Sequence, residues 1–255
     1  MKPAFTSDSE PFRVGIIDTG VNPWHSHVRG AVSGIRIFLD REGKIREDED
    51  FRDQVGHGTA VAGILRQGLP DAELFVIRVF DEELESYPTL VARALLRGAA
   101  EGCGIINLSL GMPPGPGSEV LAEACRAVQE AGSVLVAAGH PKKAELLPAS
   151  LPGVIGVVAA DHLKPGEIIV NPGRSYSHEA SGWPRDLEGL PPRANLWGNS
   201  FACARVTLAL TLKMETGSTM NTAHGRLNIG MSNGCSEAGE GHWRGRPRVF
   251  GGNLD

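Results

Sequence analysis

The amino-acid sequence predicts an α/β protein built on a doubly wound parallel sheet with helices on both faces. Short apolar runs of the length of buried strands alternate along the chain with longer runs, rich in alanine and leucine, that have the length of helices. Strands separated by helices of this length are typical of βαβ units, whose strands pair in parallel. The 33 glycines among 255 residues also indicate many tight turns between such elements.

The first part of the chain brings an acid and a histidine to the ends of elements. The apolar run 12–17 stops at Asp18, which predicts a buried strand that enters a tight turn. His25 and His27 follow and are expected to be surface loop residues. Residues 41–53, which include four consecutive acids, predict a charged loop that is either a solvated face or a cleft wall favouring a basic substrate residue. Small and apolar residues at helical spacing then predict a helix from 56 to 65, with His57 in its first turn.

Beyond residue 70 the alternation of elements becomes regular. The predicted strands are 74–79, 104–111, 134–139 and 154–159, and the predicted helices between them are 89–101 and 117–131. Residues 165–192 are rich in glycine, proline, serine and charge, and predict loops with at most one short strand. The run from Phe201 to Met214 predicts a buried helix that begins near Ser200.

Three segments of different composition predict the domain organisation. Residues 1–11 are a polar N-terminal extension, and residues 12–215 hold the predicted sheet and helices. Residues 216–255 are rich in glycine, asparagine and arginine without a sustained apolar period, so we expect a loosely ordered tail.

Composition narrows the partners and the compartment. A net charge of −5 gives no reason to expect nucleic acid or an anionic membrane as partner. No apolar run reaches the roughly 18 residues that span a bilayer, and the start of the chain lacks the apolar core of a signal peptide. The cysteines, which are Cys103, Cys125, Cys203 and Cys235, lie far apart without a Cys-x-x-Cys pair, which favours buried free thiols over a zinc site or disulfides. We therefore expect a cytoplasmic protein.

Three residues at element ends are candidates for nucleophilic catalysis. Ser200 follows a Gly-Asn turn at the start of a helix, where backbone N–H groups favour negative charge. Its alternative role is that of a helix N-cap, just as Asp18 could instead cap a turn. His57 is bracketed by glycines, so packing gives little reason for it, and it is a candidate general base.

The order Asp18, His57, Ser200 is that of the triad in subtilisin. Residues 14–21 look like the aspartate motif of the subtilisin-like serine proteases, and residues 56–63 like their histidine motif. Gly198-Asn199-Ser200-Phe201-Ala202 is similar to their Gly-Thr-Ser-Met-Ala serine motif. Residues 105–111 resemble their substrate-binding strand, and residues 151–157 match a further core segment. The chain thus resembles the subtilase family, peptidase S8, over roughly residues 12 to 212.

The resemblance implies a serine endopeptidase that needs no cofactor. Ser200 would attack a peptide carbonyl, His57 would take its proton, and Asp18 would orient the imidazole. Backbone atoms of Ser109, Leu110 and Gly111 would pair with the substrate as an added strand. Gly111 suggests room for a sizeable P1 side chain, meaning the residue just before the cleaved bond. Without a signal peptide, and with 11 residues too few for a prodomain, we expect an intracellular enzyme with a dedicated peptide or precursor substrate.

The chain departs from the family pattern at the oxyanion hole. His140 stands where the family has an asparagine, and losing such a donor in subtilisin lowers kcat about 10²–10³-fold. The imidazole of His140 could donate instead, or the amide of Asn199 could. Failing both, the protein would be a catalytically weak peptide-binding protein. An acyl-enzyme transferase that joins a peptide to an amine is a further alternative.

The calcium-binding loop of extracellular family members is missing here. Residues 64–71 lead almost directly into the next strand, so we predict no tight calcium site of that type and no metal in the active site.

Overall fold

A parallel sheet is the framework of the computed structural model, which describes residues 11–81, 85–171 and 176–216 and the backbone of 225–228. The described residues form one ten-stranded sheet and four α-helices. In chain order the elements are β1 (Arg13–Asp18), β2 (Val32–Leu39), β3 (Ile45–Asp48), α1 (His57–Gly68), β4 (Glu73–Arg78), α2 (Pro88–Ala100), β5 (Ile105–Leu108), α3 (Ser118–Glu130), β6 (Val134–Ala138), β7 (Ile155–Ala159), β8 (Glu167–Val170), β9 (His178–Ala180), α4 (Asn199–Glu215) and β10 (Gly225–Asn228).

The strand order places the first strand in the middle of the sheet. The order is β10-β8-β9-β7-β6-β5-β1-β4-β2-β3, and the seven strands from β9 to β2 pair in parallel. Among the described strands of this sheet, the antiparallel pairs lie at the two sides, where β3 pairs with β2 and where β8 pairs with β9 and β10. The predicted parallel sheet is confirmed, with antiparallel additions that the sequence did not indicate.

Both faces of the central strands are buried, as the apolar runs predict. Val14 and Ile16 of β1 pack into the core that contains α1 and α4. Ile17 packs into the second core, which contains α2 and α3. Leu74 and Phe75 of β4 divide between the two cores in the same way. Because successive side chains of a strand point to opposite faces, a continuous apolar run fits a strand covered by helices on both sides.

The helix α4 is buried all round. Every residue from Ser200 to Thr211 is buried, and the helix packs against α1 and against β5, β6, β7 and β9. A helix that is apolar on all faces belongs in the interior of a protein. Its first turn, which carries Ser200, is therefore held firmly beneath the ends of the central strands.

The sequence predicts a charged loop over residues 41–53, but part of this segment forms a strand. Ile45–Asp48 forms β3, an edge strand of a hairpin with β2, which the sequence analysis also missed. Glu47 is ion-paired with Arg93 and Arg97 of α2. An edge strand exposes most of its side chains, so it needs no apolar residues and leaves no apolar signal. The carboxylates of Glu47, Asp48 and Asp50 pair with arginines of this chain, which argues against their recruiting a basic substrate residue.

The later part of the chain contains more strand than predicted. Residues 165–192 contribute both β8 and β9, and β10 lies within the segment expected to be a loose tail. The remainder of that tail, the fourth cysteine, Cys235, and the extension 1–10 lie outside the described residues. In the part of the chain that the structure describes, none of the helices has the length and apolar character needed to cross a membrane.

Candidate active site

The predicted site residues meet at the carboxyl edge of the sheet. The chain leaves β1 for β4 and β2 on one side and later returns to β5, β6 and β7 on the other, so the strand order reverses beside β1. Ligands of open α/β sheets bind outside the carboxyl ends of the strands at such a reversal. Asp18 ends β1, Ser109 follows β5, and His140 lies two residues beyond β6.

Asp18 and His57 form a buried hydrogen-bonded pair. The Oδ1 atom of Asp18 lies 2.7 Å from Nδ1 of His57 and also accepts the backbone N–H of Thr19 at 2.7 Å. Asp18 is fully buried and His57 nearly so. The bond places the Nδ1 proton toward the carboxylate and leaves Nε2 as the basic nitrogen.

Charge decides the basicity of His57. Burial by itself lowers the pKa of the imidazole, but the charge and hydrogen bond of Asp18 outweigh it, with a further contribution from Asp53. The pKa of His57 is therefore raised above its usual value. A histidine whose imidazolium form is stabilised by a neighbouring carboxylate is suited to act as a general base.

Two glycines allow the Asp18 loop and helix α1 to touch. A Cβ atom at Gly58 would lie 2.1 Å from the carbonyl oxygen of Gly20, and one at Gly20 would lie 2.6 Å from the carbonyl oxygen of Phe51. Gly20 also has a φ of +103°, which favours glycine. The glycines around the acid and the histidine thus permit the close approach that the pair requires.

Ser200 lies at the start of α4 with its hydroxyl directed to the substrate-strand segment. The helix begins at Asn199 and its N-cap is Gly198, so Ser200 is not the N-cap residue. Ser200 Oγ donates to the carbonyl oxygen of Ser109 at 3.1 Å, and within the described residues no hydrogen bond joins it to His57. The ring of Phe201 lies 5.3 Å from that of His57, centroid to centroid, so α4 contacts the base directly.

A polar network under the site joins β5 to α4. Thr207 Oγ1 donates to Asn107 Oδ1 at 2.9 Å, and Asn107 Nδ2 donates to Ser109 Oγ at 2.7 Å. All of these atoms are buried, and an unpartnered buried polar group would destabilise the fold. The network fixes Ser109 relative to the helix of Ser200. Sequence reasoning missed the role of Asn107, although an asparagine inside an apolar strand was a usable signal.

Asn199 has a structural contact. Its Oδ1 atom accepts the backbone N–H of Ala159, at the end of β7, at 2.9 Å. This bond ties the first residue of α4 to the sheet. A swing of the Asn199 amide toward an oxyanion would have to break it.

His140 has the hydrogen bond that a neutral donor needs. Its Nδ1 atom accepts the backbone N–H of Lys142 at 3.1 Å. Burial, followed by the charges of Lys143 and Lys142, lowers the pKa of His140, which favours the neutral ring. With Nδ1 accepting, the proton of the neutral ring resides on Nε2, which makes Nε2–H a donor.

The space beside Gly111 is smaller than the sequence suggested. A Cβ atom at position 111 would lie 2.2 Å from Leu146 Cδ2, because Leu146 packs directly over the glycine. Met112 and Leu147 pair in antiparallel fashion through two backbone hydrogen bonds of 2.9 and 2.8 Å, which hold the two segments together. The expected room for a sizeable P1 side chain is thus partly filled. The sequence could not predict this contact, because Gly111 and Leu146 lie far apart in the chain.

A cavity of about 490 Å³ opens beside the N-terminus of α1, where Gly56 and Thr59 line it. Segments that follow Asp18, precede His57 and precede Ser200 all line it, whereas Ser109, Leu110 and Gly111 do not. His25 and His27 line it too; they are half-buried, with rings in edge-to-face contact, rather than simple surface loop residues.

Arg66 gathers carbonyl groups around the short connection after α1. Its buried guanidinium donates to the carbonyl oxygens of Val28, Ala31, Leu69, Pro70 and Ala72 at 2.8–3.1 Å. This connection is the place where the resemblance led us to expect a deleted calcium loop. Carbonyl oxygens, which in other proteins bind calcium, here have a side-chain cation as their partner. The absence of a tight calcium site stays a prediction.

Cys203 packs behind the nucleophile as a thiol. It is fully buried, and burial raises the pKa of its thiol. Cys103 and Cys125 are likewise free and buried, with the pKa of each raised by burial to about 12. Such thiols remain protonated and unreactive, which fits a packing role.

Comparisons with known proteins identify relatives of this chain. The family described as the subtilase family matches residues 10–227. Thermitase of Thermoactinomyces vulgaris is 32% identical over 136 residues, 49% of this chain and 46% of thermitase. The nisin leader peptide-processing serine protease NisP of Lactococcus lactis subsp. lactis is 34% identical over 122 residues, 42% of this chain and 18% of NisP. The chain thus spans less than half the length of these curated relatives.

A solved structure is similar over most of the fold. The prenylagaramide maturation protease PagA has a TM-score of 0.56 and 25% identity, over 82% of this chain and 78% of PagA. The similarity therefore extends beyond the three motifs to the arrangement of the elements. The family match covers more than half of the chain and includes Asp18, His57 and Ser200. The chain belongs to the subtilase family.

Proposed function

We propose that this protein is a serine endopeptidase in which Ser200 is the nucleophile, His57 the general base and Asp18 the orienting acid. The observation that carries the proposal is the 2.7 Å bond between Asp18 Oδ1 and His57 Nδ1. It joins a buried carboxylate to an imidazole of raised pKa at the sheet edge where Ser200 begins a buried helix. Membership of the subtilase family supports the same roles.

The reaction begins with a change of partner for Ser200. Without substrate the hydroxyl donates to the carbonyl of Ser109, and for attack it turns its proton to Nε2 of His57. A bond then forms between Ser200 Oγ and the peptide carbonyl carbon while the proton passes to His57. His57 hands that proton to the leaving amine as the C–N bond breaks. Water then attacks the acyl-enzyme by the same route and releases the acid.

The oxyanion would be met by backbone and by His140. In the first turn of α4 the backbone N–H of Phe201 donates to the carbonyl of Gly198 at 3.2 Å, whereas the N–H of Ser200 precedes the helical hydrogen bonds and could meet an oxyanion, and the helix dipole favours negative charge there. Nε2–H of His140 supplies the side-chain donor that an asparagine gives in relatives. Because Asn199 is bonded to β7, we assign the donor role to His140 rather than to Asn199.

The substrate would extend across the active site from the segment 109–111 toward the cavity. Ser109, Leu110 and Gly111 pair with the residues before the cleaved bond, and Leu146 over Gly111 favours a small P1 side chain. The residues after the bond extend toward the cavity beside the N-terminus of α1. The names of two relatives, a leader peptide-processing protease and a maturation protease, support a dedicated precursor peptide as substrate.

A fluorophosphonate probe tests the proposal directly. The probe reacts when a serine oxygen attacks phosphorus and fluoride leaves, so it reports an activated nucleophile without knowledge of the substrate. We expect the wild-type protein to be labelled and Ser200→Ala not to be. Ser150→Ala, which removes an exposed serine elsewhere, is the matched control and should label like the wild type.

Two results would contradict the proposal. A wild-type protein that is folded yet unlabelled at any pH would favour the peptide-binding alternative. Labelling that persists in Ser200→Ala would place the nucleophile elsewhere. If labelling is as expected, incubation with peptides encoded near the gene identifies the substrate. Rapid cleavage of casein at many sites would refute the dedicated substrate while leaving the triad intact.

A further inference from the structure

The carboxylate of Asp53 accepts several hydrogen bonds, although the proposed mechanism gives this residue no role. Its Oδ1 atom accepts from Thr19 Oγ1 at 2.9 Å, Val55 N at 2.9 Å and Gly56 N at 2.8 Å. Its Oδ2 atom accepts from Thr59 N at 2.9 Å and from Thr59 Oγ1 at 2.5 Å. One carboxylate thereby joins the loop after Asp18, the turn before His57 and the first turn of α1.

The hydroxyl groups of Thr19 and Thr59 add two further hydrogen bonds to this network. Thr19 Oγ1 accepts the backbone N–H of Gly58 at 3.0 Å, and Thr59 Oγ1 accepts that of Asn22 at 3.0 Å. The loop that follows Asp18 is thus bonded to the helix that carries His57 at two further points. The Asp18–His57 distance depends on this attachment, because the two residues lie on separate elements.

Helix α1 has no capping side chain at its own N-cap. That position is Gly56, with a φ of +95° and no side-chain bond to the helix. Asp53 supplies the missing acceptor from three residues upstream and places a negative charge at the N-terminus, where the helix dipole favours it. A negative charge here also stabilises the imidazolium form of His57, whose pKa it helps to raise.

We propose that Asp53 is a positioning residue of the active site, which locks His57 against Asp18 and adds charge that favours the imidazolium formed during catalysis. The inference rests on the proposed function, since it concerns how His57 acts as base. Asp53 acts through His57 and touches neither the nucleophile nor the strand that would hold the substrate. Because Asp53 also lines the cavity near the N-terminus of α1, its loss should lower the rate of the chemical step but leave unchanged the binding of a small probe that does not reach this cavity.

The test follows fluorophosphonate labelling of the full chain as a function of probe concentration and pH. In Asp53→Asn the amide keeps one acceptor oxygen but turns a donor group toward N–H groups that also donate. We expect kinact to fall about 10- to 100-fold with KI unchanged, as for a small misplacement of a catalytic group. The acidic limb of the labelling rate should also move to lower pH, because removing the charge of Asp53 lowers the pKa of His57.

Other ionisable groups near these residues are the same in every variant. His25, His27 and Arg185 line the cavity that Asp53 also lines. Asp18 faces His57 from β1, and Cys203 of α4 lies close enough to Asp18 to feel its charge. A shift of the acidic limb between the wild type and Asp53→Asn is therefore assigned to the Asp53 charge.

Matched variants separate position from charge. Thr59→Val removes one hydroxyl bridge to Asp53 but keeps its charge, so kinact should fall while the acidic limb stays in place. Thr59→Ser keeps the hydroxyl and should restore the wild-type rate. Asp40→Asn makes the same chemical change at a carboxylate that caps the turn between β2 and β3, and should leave both kinact and the limb unchanged.

The result that overturns the proposal differs from the one that overturns the proposed function. If the wild type is not labelled, the enzyme assignment itself fails. If the wild type is labelled and Asp53→Asn has the same kinact and the same acidic limb, Asp53 is not a positioning residue. A fall in kinact with an unmoved limb and a lowered melting temperature would reduce Asp53 to a structural cap. Should Asp53→Asn not fold, the Thr59 pair gives the same decision: equal rates in both Thr59 variants overturn the proposal.

Discussion

The segments that carry Asp18 and His57 are joined by many hydrogen bonds, whereas the hydroxyl of Ser200 has, within the described residues, a single hydrogen bond, to the carbonyl of Ser109. On the acid–base side, Asp53, Thr19 and Thr59 join both residues to one network. On the nucleophile side, the buried network ends at Ser109 and leaves the Ser200 hydroxyl able to change partner. The difference matches the chemistry, because the base must keep one orientation while the nucleophile moves between its resting partner and the base.

Removing the charge of Asp18 should have the largest effect on this arrangement. Asp18→Asn keeps the side-chain shape but allows the His57 tautomer with its proton on Nε2, which cannot accept from Ser200. We expect kcat/KM, or the labelling rate constant, to fall about 10⁴-fold. A fall of less than tenfold would show that the dense network, rather than the carboxylate, orients the base.

The pH dependence of the same measurement checks the acid–base side independently. Because His57 must be neutral to accept a proton and its pKa is raised, the wild-type rate should decline with falling pH around a midpoint above 6.5. A midpoint well below 6.5 would contradict the dominance of Asp18 over burial.

Truncation of His140 should have the next largest effect, and it tests the substrate side. His140→Ala removes the proposed oxyanion donor and should lower kcat about 10²–10³-fold with little change in KM. His140→Asn returns the donor type found in relatives and should leave activity similar or raise it. His162→Ala, at an exposed histidine beyond β7, is the control. If His140→Ala is as active as the wild type, another donor, such as Asn199, must meet the oxyanion.

The smallest expected effect concerns preference rather than rate. Leu146→Gly should uncover the space over Gly111 and raise kcat/KM for a P1 phenylalanine relative to a P1 alanine by about 10- to 200-fold. Peptide substrates that differ only at P1 measure the ratio. Leu190→Ala, which changes the cavity beside the N-terminus of α1, should leave this ratio unaltered. An unchanged ratio in Leu146→Gly would mean that this leucine does not limit P1.

Local sequence patterns were sufficient to predict the family and the parallel sheet, and to select Asp18, His57 and Ser200 as candidate site residues. Each of these depends on neighbouring residues: an apolar run that ends at an acid, glycines around a histidine, a Gly-Asn turn before a buried helix. The strand β3 was not predicted, because a strand at the edge of the sheet requires no apolar side chains. The ion pairs between this hairpin and α2 account for an acidic run that, from the sequence alone, could also have faced a substrate.

The tertiary structure decided what the remaining residues of the site do. Asn199 is bonded to Ala159, 40 residues away, and Thr207 to Asn107, 100 residues away. Leu146 lies on Gly111, and Asp53 joins two segments through Thr19. Sequence by itself determined which chemical groups this protein possesses and which elements carry them. Only the packing of distant segments determined which of those groups are free to act, because a donor or a space already occupied by another residue leaves no trace in the local sequence.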